Sequence, residues 1–169
     1  DIAIKKIFSR KGKTLSAEKL KLLVSQKRNY AYEMIKKNPP VAPNCRKVLS
    51  ELYSRGILLA LASSSSNQNV QLFLDSSFTR EFFTVILSGE DIKYSKPNPE
   101  IFRKARKSLG IISESCYVIE DSKSGILGAQ ADKMNVIGVV NQHSRKDLLN
   151  FGAFTTISKL DELLQKKEL

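Results

Sequence analysis

The stretch from Tyr117 to Gly125, YVIEDSKSG, constrains the fold more than any other part of the chain. The short apolar run from Cys116 to Ile119 has the pattern of a buried strand. It ends at two adjacent carboxylates, Glu120 and Asp121, and small residues that can open a helix follow. A strand, an acidic pair and a helix in this order indicate an open α/β sheet, which presents ligands at the carboxyl ends of its strands.

The acidic pair has two interpretations. Carboxylate oxygens suit Mg²⁺, which takes one or two protein carboxylates together with water and phosphate oxygens. Because side chains alternate along a strand, Glu120 and Asp121 can serve one site only where the strand is already ending in a loop. The alternative is a surface pair at a helix N-terminus, where negative charge is favourable. Taken by itself, this stretch is equally compatible with a metal site and with a helix cap.

Apolar runs of strand length alternate with helical segments from Asn44 to the end of the chain. Further strands are predicted over 57–62, 85–87 and 136–140. The helices are predicted to begin at Asn44, before Val70, at Asn98-Pro99-Glu100, after the acidic pair, and at the caps Ser144 and Ser158. Such alternation indicates a parallel sheet with helices on both faces.

Residues 1–38 have a helical pattern. Ser16 is a suitable N-cap, and apolar residues then recur at helical spacing until Asn38-Pro39-Pro40 forces an extended turn. We therefore predict a helical domain over 1–38 and an α/β domain over 39–169. Lys27 falls on the apolar stripe, with Arg28 at its edge. This lysine either packs its methylenes and keeps its ammonium in water, or points toward an anion.

The chain is strongly basic, and the charge is unevenly distributed. Its 28 Lys and Arg against 17 Asp and Glu give a net charge of +11. Residues 1–38 hold 11 Lys and Arg against 3 Asp and Glu, a net +8, which leaves +3 for the remainder. The plain interpretation of this charge is a solvated face of the helical segment. The functional interpretations are a basic lid that steers small phosphorylated molecules, or a surface that contacts nucleic acid. No motif of nucleic-acid recognition accompanies it, so we favour the small anionic ligand.

Composition favours an ordinary globular domain. Apolar residues make up 41% and charged residues 27% of the chain. No apolar run approaches the about 20 residues that span a bilayer. The two cysteines, Cys45 and Cys116, lie far apart and have no redox or metal-binding spacing. We therefore expect no membrane association and a cytoplasmic location.

Polar residues follow three of the predicted strands: Ser63 to Asn67, Ser95-Lys96-Pro97, and Glu120-Asp121. Hydroxyls and free backbone N–H groups at a helix N-terminus can cradle a phosphate, and a lysine supplies a compact positive charge against it. Carboxylates can hold the metal that neutralises it. Each signal alone has a plain alternative: a flexible turn, a surface lysine or a helix cap. Their common placement at one edge of one sheet favours a single site.

These segments resemble the motifs of a known superfamily. Ala60 to Ser65, Ser95 to Phe102, and Ile119 to Ser122 with Gly125-Ile126 are similar to the second, third and fourth motifs of the haloacid dehalogenase superfamily. Within it the chain resembles most the β-phosphoglucomutase-like branch, and residues 1–38 resemble part of that branch's helical cap. The resemblance implies a Rossmann-like α/β core with a parallel sheet and a small helical cap.

The resemblance also implies roles for the residues at the sheet edge. Ser63 would hydrogen-bond the transferring phosphoryl group, with Ser64 helping through its backbone. Lys96 would bridge the phosphate and the nucleophile. Asp121 would ligate Mg²⁺ directly, and Glu120 would bind a metal-coordinated water.

Substrate contacts are implied for three further residues. Asn67 would lie near the substrate side of the phosphate site, and Lys27 with Arg28 would reach in from the cap. The resemblance therefore favours an anion contact for Lys27 over packing of its methylenes. It implies a small phosphorylated metabolite as the partner, and neither nucleic acid nor a membrane.

The superfamily's first motif, Asp-x-Asp at the end of the first strand, does not occur in this sequence. In the family that strand lies between the strands that end at Ser63 and Glu120, and its first aspartate is the nucleophile. We therefore expect a sheet without its central strand, and a chain that is part of a longer protein or is completed by another segment. By itself it would not transfer a phosphoryl group by the family mechanism.

For the intact protein the resemblance implies Mg²⁺-dependent phosphoryl transfer on a sugar phosphate through an aspartyl-phosphate. The enzyme would be a mutase or a phosphatase, and a monomer when complete; the sequence leaves the reaction and the sugar open. Two alternatives remain. One is an inactive fragment, and the other is a nucleic-acid-binding or scaffold protein that uses the basic helical segment.

Overall fold

Two compact units make up the structure, a computed structural model that describes residues 2–166. The first unit, Asp1–Pro40, is helical, and the second, Val41–Leu169, carries all the described strands. The helical pattern stops ahead of Pro39 and Pro40 because proline restricts the residue before it and lacks a backbone N–H. The interpretation of the first unit as a cap stays a prediction.

The helical unit consists of α1 (Ile2–Arg10) and α2 (Ala17–Lys37). Ser16 caps α2, and its hydroxyl accepts a hydrogen bond from the N–H of Lys19 at 3.2 Å. The apolar stripe of α2 is at most half-buried: no described residue of this helix is buried, and Met34 is 56% exposed. Each helix of a pair covers only part of the other's apolar face, which accounts for this exposure. No described helix has the length and apolar character of a bilayer-spanning segment.

Parallel strands form two separate sheets in the second unit. The described strands are β1 (Leu59–Ala62), β2 (Phe83–Leu87), β3 (Tyr117–Glu120), β4 (Asn135–Val139) and β5 (Thr155–Ile157). One sheet pairs β1 with β2, and the other has the order β3-β4-β5. The predicted α/β fold with parallel strands is confirmed.

Helices cover both faces of the three-stranded sheet. The second unit contains the helices α3 (Cys45–Ser54), α4 (Asn67–Ser77), α5 (Glu100–Leu109), α6 (Lys123–Gln130), α7 (Arg145–Phe151) and the final 3₁₀ helix Leu160–Gln165. The side chains of neighbouring residues on β4 enter different apolar clusters, as expected from alternation along a strand. Val136 packs in a cluster with residues of α5, α6 and α7, and Ile137 in one with residues of α3, β5 and the final 3₁₀ helix.

Two of the predicted helix starts differ from the prediction in detail. Asn44 stands at the predicted N-cap position of α3, but its side chain makes no capping hydrogen bond: its backbone is left-handed, with φ of 58°, and its side-chain N–H donates to Asp161 Oδ2 at 2.8 Å. Ser158 lies one residue too early, because the N-cap of the final 3₁₀ helix is Lys159. Ser144 does cap α7, and it forms a reciprocal capping box with Asp147.

Asp132 anchors α5 to the turn that follows α6. Its side chain is 6% exposed, and its two oxygens accept from Arg103 Nε at 2.9 Å and Arg106 Nε at 2.6 Å. Burial alone raises the pKa of this carboxyl, but the hydrogen bonds from Arg106 and Arg103 outweigh burial and lower the pKa overall. The carboxylate therefore stabilises the fold in its charged form.

Replacing Asp132 by asparagine is expected to lower the free energy of unfolding by about 2 kcal/mol near pH 7, because both arginines lose a charged acceptor. A group whose pKa is lower in the folded state stabilises above its unfolded pKa, about 3.9 for Asp, and less as the pH falls further. The difference between the wild type and D132N should therefore shrink below about pH 4. Urea unfolding of both proteins between pH 3 and 7 measures it. A difference that stays constant across this range would contradict the assignment.

Candidate functional site

The side chain of Lys96 connects the carboxyl ends of β1 and β3. Its ammonium donates to the carbonyl oxygen of Ala62 at 3.2 Å and pairs with Glu120 Oε1 at 2.5 Å. The side chains of this ion pair are only 12% and 10% exposed. The ammonium also lies 4.6 Å from the centre of the Phe102 ring, within the range of cation–π attraction. Three groups therefore hold Lys96 in place at the sheet edge.

This bridge brings the three predicted segments together. Ser63 directly follows Ala62, whose carbonyl accepts from Lys96, and Asp121 directly follows Glu120. The predicted phosphate loop, lysine and acidic pair thus belong to one edge of the α/β unit. The catalytic roles of the individual residues stay predictions.

A cavity of about 660 Å³ lies beside this bridge. All residues of β1 and β3 line it, and so do mostly apolar residues of α3 and α5. Within the described residues β1 pairs only with β2, and β3 pairs only with β4. Each of the two strands therefore has one edge without a partner strand, and both strands line the same cavity. This is the arrangement expected if a central strand is absent from the sheet.

Both carboxylate oxygens of Glu120 are occupied by donors. Oε1 pairs with Lys96, and Oε2 accepts from the N–H groups of Asp121 and Ser122, each at 3.2 Å, and from the Ser122 hydroxyl at 3.0 Å. The third residue of α6 is Gly125, where a Cβ would overlap the Glu120 carboxyl group. The absence of a side chain at Gly125 therefore leaves the space in which this carboxylate lies.

The Asp121 carboxylate has a different environment. Its Oδ2 accepts a hydrogen bond from the side-chain amide of Asn141 at 3.1 Å. Within residues 2–166 no cationic side chain forms an ion pair with it, whereas Glu120 is paired with Lys96. The negative charge of Asp121 is therefore available to a ligand, and that of Glu120 is already offset.

The loop after β1 is held against the loop after β2. The N–H of Ser63 donates to the Leu87 carbonyl at 2.9 Å, which continues the pairing of the two strands. The Ser63 hydroxyl accepts from the N–H of Ser65 at 3.1 Å and so closes a local turn. A Cβ at Gly89 would lie 2.6 Å from the Ser64 carbonyl oxygen, so the two loops approach as closely as only glycine allows.

Glu100 holds the loop that carries Lys96. Its carboxylate accepts from the N–H groups of Tyr94 at 2.8 Å and Lys93 at 3.1 Å, and Lys104 pairs with it at 3.2 Å. These interactions, the backbone hydrogen bond from Tyr94 foremost, lower the pKa of Glu100. The first turn of α5 therefore fixes the approach to Lys96 with a charged acceptor.

The remaining predicted ligand contacts lie in exposed places. Asn67 is the first residue of α4, and its Oδ1 accepts from the Gln71 amide at 2.8 Å. Lys27 and Arg28 are exposed on α2 of the helical unit. The contacts with substrate predicted for these three residues stay predictions.

Most of the chain matches the sequence pattern of a known family. A model of the haloacid dehalogenase-like hydrolases matches residues 2–139. The chain belongs to this family. It is 32% identical over 152 residues to the phosphorylated carbohydrates phosphatase of Thermotoga maritima. The aligned residues make up 88% of this chain and 68% of the relative. It is also 28% identical to hexitol phosphatase B of Escherichia coli over 136 residues, which are 80% of this chain.

The fold agrees with solved structures of haloacid dehalogenase-like hydrolases. The crystal structure of β-phosphoglucomutase from Clostridium difficile superposes with a TM-score of 0.79 at 25% identity, over 95% of this chain and 72% of that one. The chain spans 61% of the length of hexitol phosphatase B. Because the relative is longer than this chain, we treat the activity of the whole protein as a proposal.

The residues of this chain fit the predicted magnesium ion at Asp121. Within residues 2–166 no three His, Cys, Asp or Glu side chains gather as a metal site. A metal that draws its whole ligand set from such side chains, as structural zinc does, therefore does not fit the described residues. Mg²⁺ needs only one or two carboxylates beside water and phosphate oxygens. Asp121, with no paired cation among the described residues, meets that need.

Sequence reasoning missed two contributors to this edge. Phe102 lies in the segment that resembles the third motif, but nothing in its spacing indicates a contact with the Lys96 ammonium. Asn141 was not predicted, although it is a polar residue just after the strand β4. The rule that singled out Ser63 and Glu120, a polar residue at the carboxyl end of a buried strand, would have found Asn141 as well.

Proposed function

We propose that this protein transfers a phosphoryl group from a small phosphorylated metabolite, a sugar phosphate, and that the group binds beside Lys96. The observation that carries the proposal is the Lys96 ammonium, which spans the ends of β1 and β3 next to a strand-lined cavity. The substrate class is supported by the names of the relatives, a phosphorylated carbohydrates phosphatase and a hexitol phosphatase. Because both are phosphatases, we favour hydrolysis over a mutase reaction.

The nucleophile in this proposal is an aspartate on an extended segment that occupies the cavity. A strand there would pair with the open edges of both β1 and β3, and so satisfy two rows of backbone groups. If it runs parallel to both strands, its carboxyl end arrives beside Lys96. An aspartate at that end would meet an ammonium that already holds one carboxylate, Glu120.

The residues of this chain then share the work of positioning and charge stabilisation. Lys96 stabilises the negative charge of the transferring group, and Glu120 with Phe102 holds Lys96 in position. Ser63 and the backbone of Ser64 hydrogen-bond the phosphoryl oxygens. Mg²⁺ bound by Asp121, with Glu120 near its water shell, would neutralise phosphate charge. The aspartate oxygen bonds to phosphorus as the bond from phosphorus to the sugar oxygen breaks, and the second aspartate of the Asp-x-Asp segment gives that oxygen a proton. The same aspartate then takes a proton from the water that hydrolyses the aspartyl-phosphate and releases phosphate.

Supplying the segment tests the proposal. The chain alone is expected to release no phosphate from hexose or hexitol phosphates. Co-expression with a strand–helix segment of about 30 residues, apolar and ending its strand in Asp-x-Asp, is expected to give Mg²⁺-dependent phosphate release. The matched control carries Asn-x-Asp, which occupies the cavity equally well but has no nucleophile. Equal rates with the two segments would contradict the proposed mechanism.

Thiol reactivity provides a second readout that does not depend on turnover. Cys45 and Cys116 both line the cavity, and burial raises the pKa of each thiol. Both segments, with Asp-x-Asp or Asn-x-Asp, are expected to slow alkylation of these cysteines by at least about tenfold. The bound segment must first leave the cavity, or the protein must open locally, before the reagent can reach either thiol. Unchanged alkylation would show that the cavity does not accept a strand, whatever the activity.

The basic helical unit supports a second candidate function, nucleic-acid binding. Tyr30 is 70% exposed on α2 among exposed lysines, and residues 1–38 hold 11 basic against 3 acidic side chains. Binding to random-sequence DNA that weakens steeply between 50 and 200 mM salt, about a thousandfold, would favour this alternative. Weak binding of the same DNA that does not change with salt would favour the proposed phosphoryl-transfer enzyme over a nucleic-acid-binding protein.

A further inference from the structure

We propose that Asn141 is a positioning residue for Asp121, which it holds so that one carboxylate oxygen faces a divalent cation; this inference rests on the proposed function. Asn141 lies in the loop after β4, so a third strand end contributes to the site in addition to those of β1 and β3. Nothing in the predicted motifs includes it. Its role follows from one contact and from the charges around it.

The position of Asn141 is fixed by the sheet. The N–H of Val140 donates to the Ile157 carbonyl at 2.9 Å, which continues the pairing of β4 with β5 up to the residue before Asn141. From this anchored backbone the side-chain amide donates to Asp121 Oδ2 at 3.1 Å. Asp121 itself directly follows β3, which is the neighbour of β4 in the same sheet. Two adjacent strand ends therefore hold the donor and the acceptor at a fixed separation.

The Asn141 amide that donates to Asp121 is neutral, and a neutral donor suits a carboxylate that is to bind a cation. An amide N–H orients the carboxylate by occupying Oδ2 without cancelling its charge. Among the described residues Oδ1 accepts no hydrogen bond, so it is the oxygen left for the metal. The contrast with Glu120 is direct, because there an ammonium takes Oε1 and three further donors take Oε2. Orientation of metal-binding carboxylates by such partners is worth about 10–100-fold in metal affinity.

Asn141 is exposed, so its replacement can be separated from effects on folding. Mn²⁺ serves as the probe on the full chain, measured by water-proton relaxation with Mg²⁺ as competitor. Asn141→Ala is expected to weaken Mn²⁺ binding by about tenfold and to leave the unfolding midpoint unchanged. Gln142→Ala is the matched control, since Gln142 is the exposed neighbour and makes no hydrogen bond within residues 2–166. It should change neither quantity.

Asp121→Asn separates failure of this inference from failure of the proposed function. If D121N loses Mn²⁺ binding while N141A keeps the wild-type affinity, the positioning role is wrong and the metal site stands. If D121N binds as tightly as the wild type, or the wild type does not bind, the metal site of the proposed function fails and this inference with it. A lowered unfolding midpoint in N141A, with unchanged affinity, would reveal a structural role only.

Discussion

Replacing Lys96 by methionine is expected to lower the free energy of unfolding by about 3 kcal/mol and to reduce phosphate release by the completed protein at least about a thousandfold. Methionine keeps an unbranched apolar side chain but loses the ammonium beside Phe102 and leaves Glu120, 10% exposed, without its cation. A buried carboxylate without a counter-charge destabilises the folded state by more than the ion pair had stabilised it. Urea unfolding and a phosphate-release assay measure the two effects.

Two further variants isolate the cause. K96M combined with Glu120→Gln removes the uncompensated charge, so part of the lost stability should return while the activity stays absent. Lys93→Met is the matched control: Lys93 lies in the same loop, is exposed, and its ammonium is 5.2 Å from the centre of the Tyr94 ring. It should behave as the wild type in both assays. Equal losses in K93M and K96M would contradict a specific role for the bridge.

Replacing Gly125 by alanine is expected to lower the free energy of unfolding by about 2 kcal/mol and the activity at least about a hundredfold. In an ordinary helix this change has the opposite sign, because alanine favours helix by about 1 kcal/mol over glycine. Here the new Cβ would overlap the Glu120 carboxyl group. Glu120 must then rotate and give up Lys96 together with the donors of Asp121 and Ser122.

The sign of the stability change makes G125A decisive. A stabilised G125A protein would show that Glu120 does not occupy the position described. Ser124→Ala, one residue away in the same helix, is the control and should change stability by less than about 0.5 kcal/mol. Adding Glu120→Asp to G125A shortens the acid by one methylene, and so is expected to recover part of the lost stability.

The sequence predicted the elements whose signal is local. Four apolar runs became β1, β2, β3 and β4, and the polar residues after β1 and β3 marked the edge that Lys96 bridges. The resemblance to the haloacid dehalogenase superfamily added the expectation of an absent central strand. The two unconnected sheets and the cavity lined by β1 and β3 agree with that expectation.

Features that depend on long-range contacts were not predictable in this way. Asn44 has a residue type that commonly caps helices, but its backbone is left-handed and its side-chain N–H donates to Asp161, 117 residues away. The contact of Asn141 with Asp121 depends on the order β3-β4 in the sheet, which no single segment encodes. Exposure of the apolar stripe on α2 likewise depends on how few elements surround it within its unit.

The surroundings of Lys96 also specify the shape of the cation that can occupy this position. The described acceptors are one carbonyl oxygen and one carboxylate oxygen, and the flat face of Phe102 lies beside the ammonium. A compact ammonium with three rotatable donors can point at both acceptors at once. A planar guanidinium would bring five donors in a rigid fork, more than these acceptors can satisfy in a place so little exposed to water. Arginine, though equally charged, is therefore a poor replacement for this lysine.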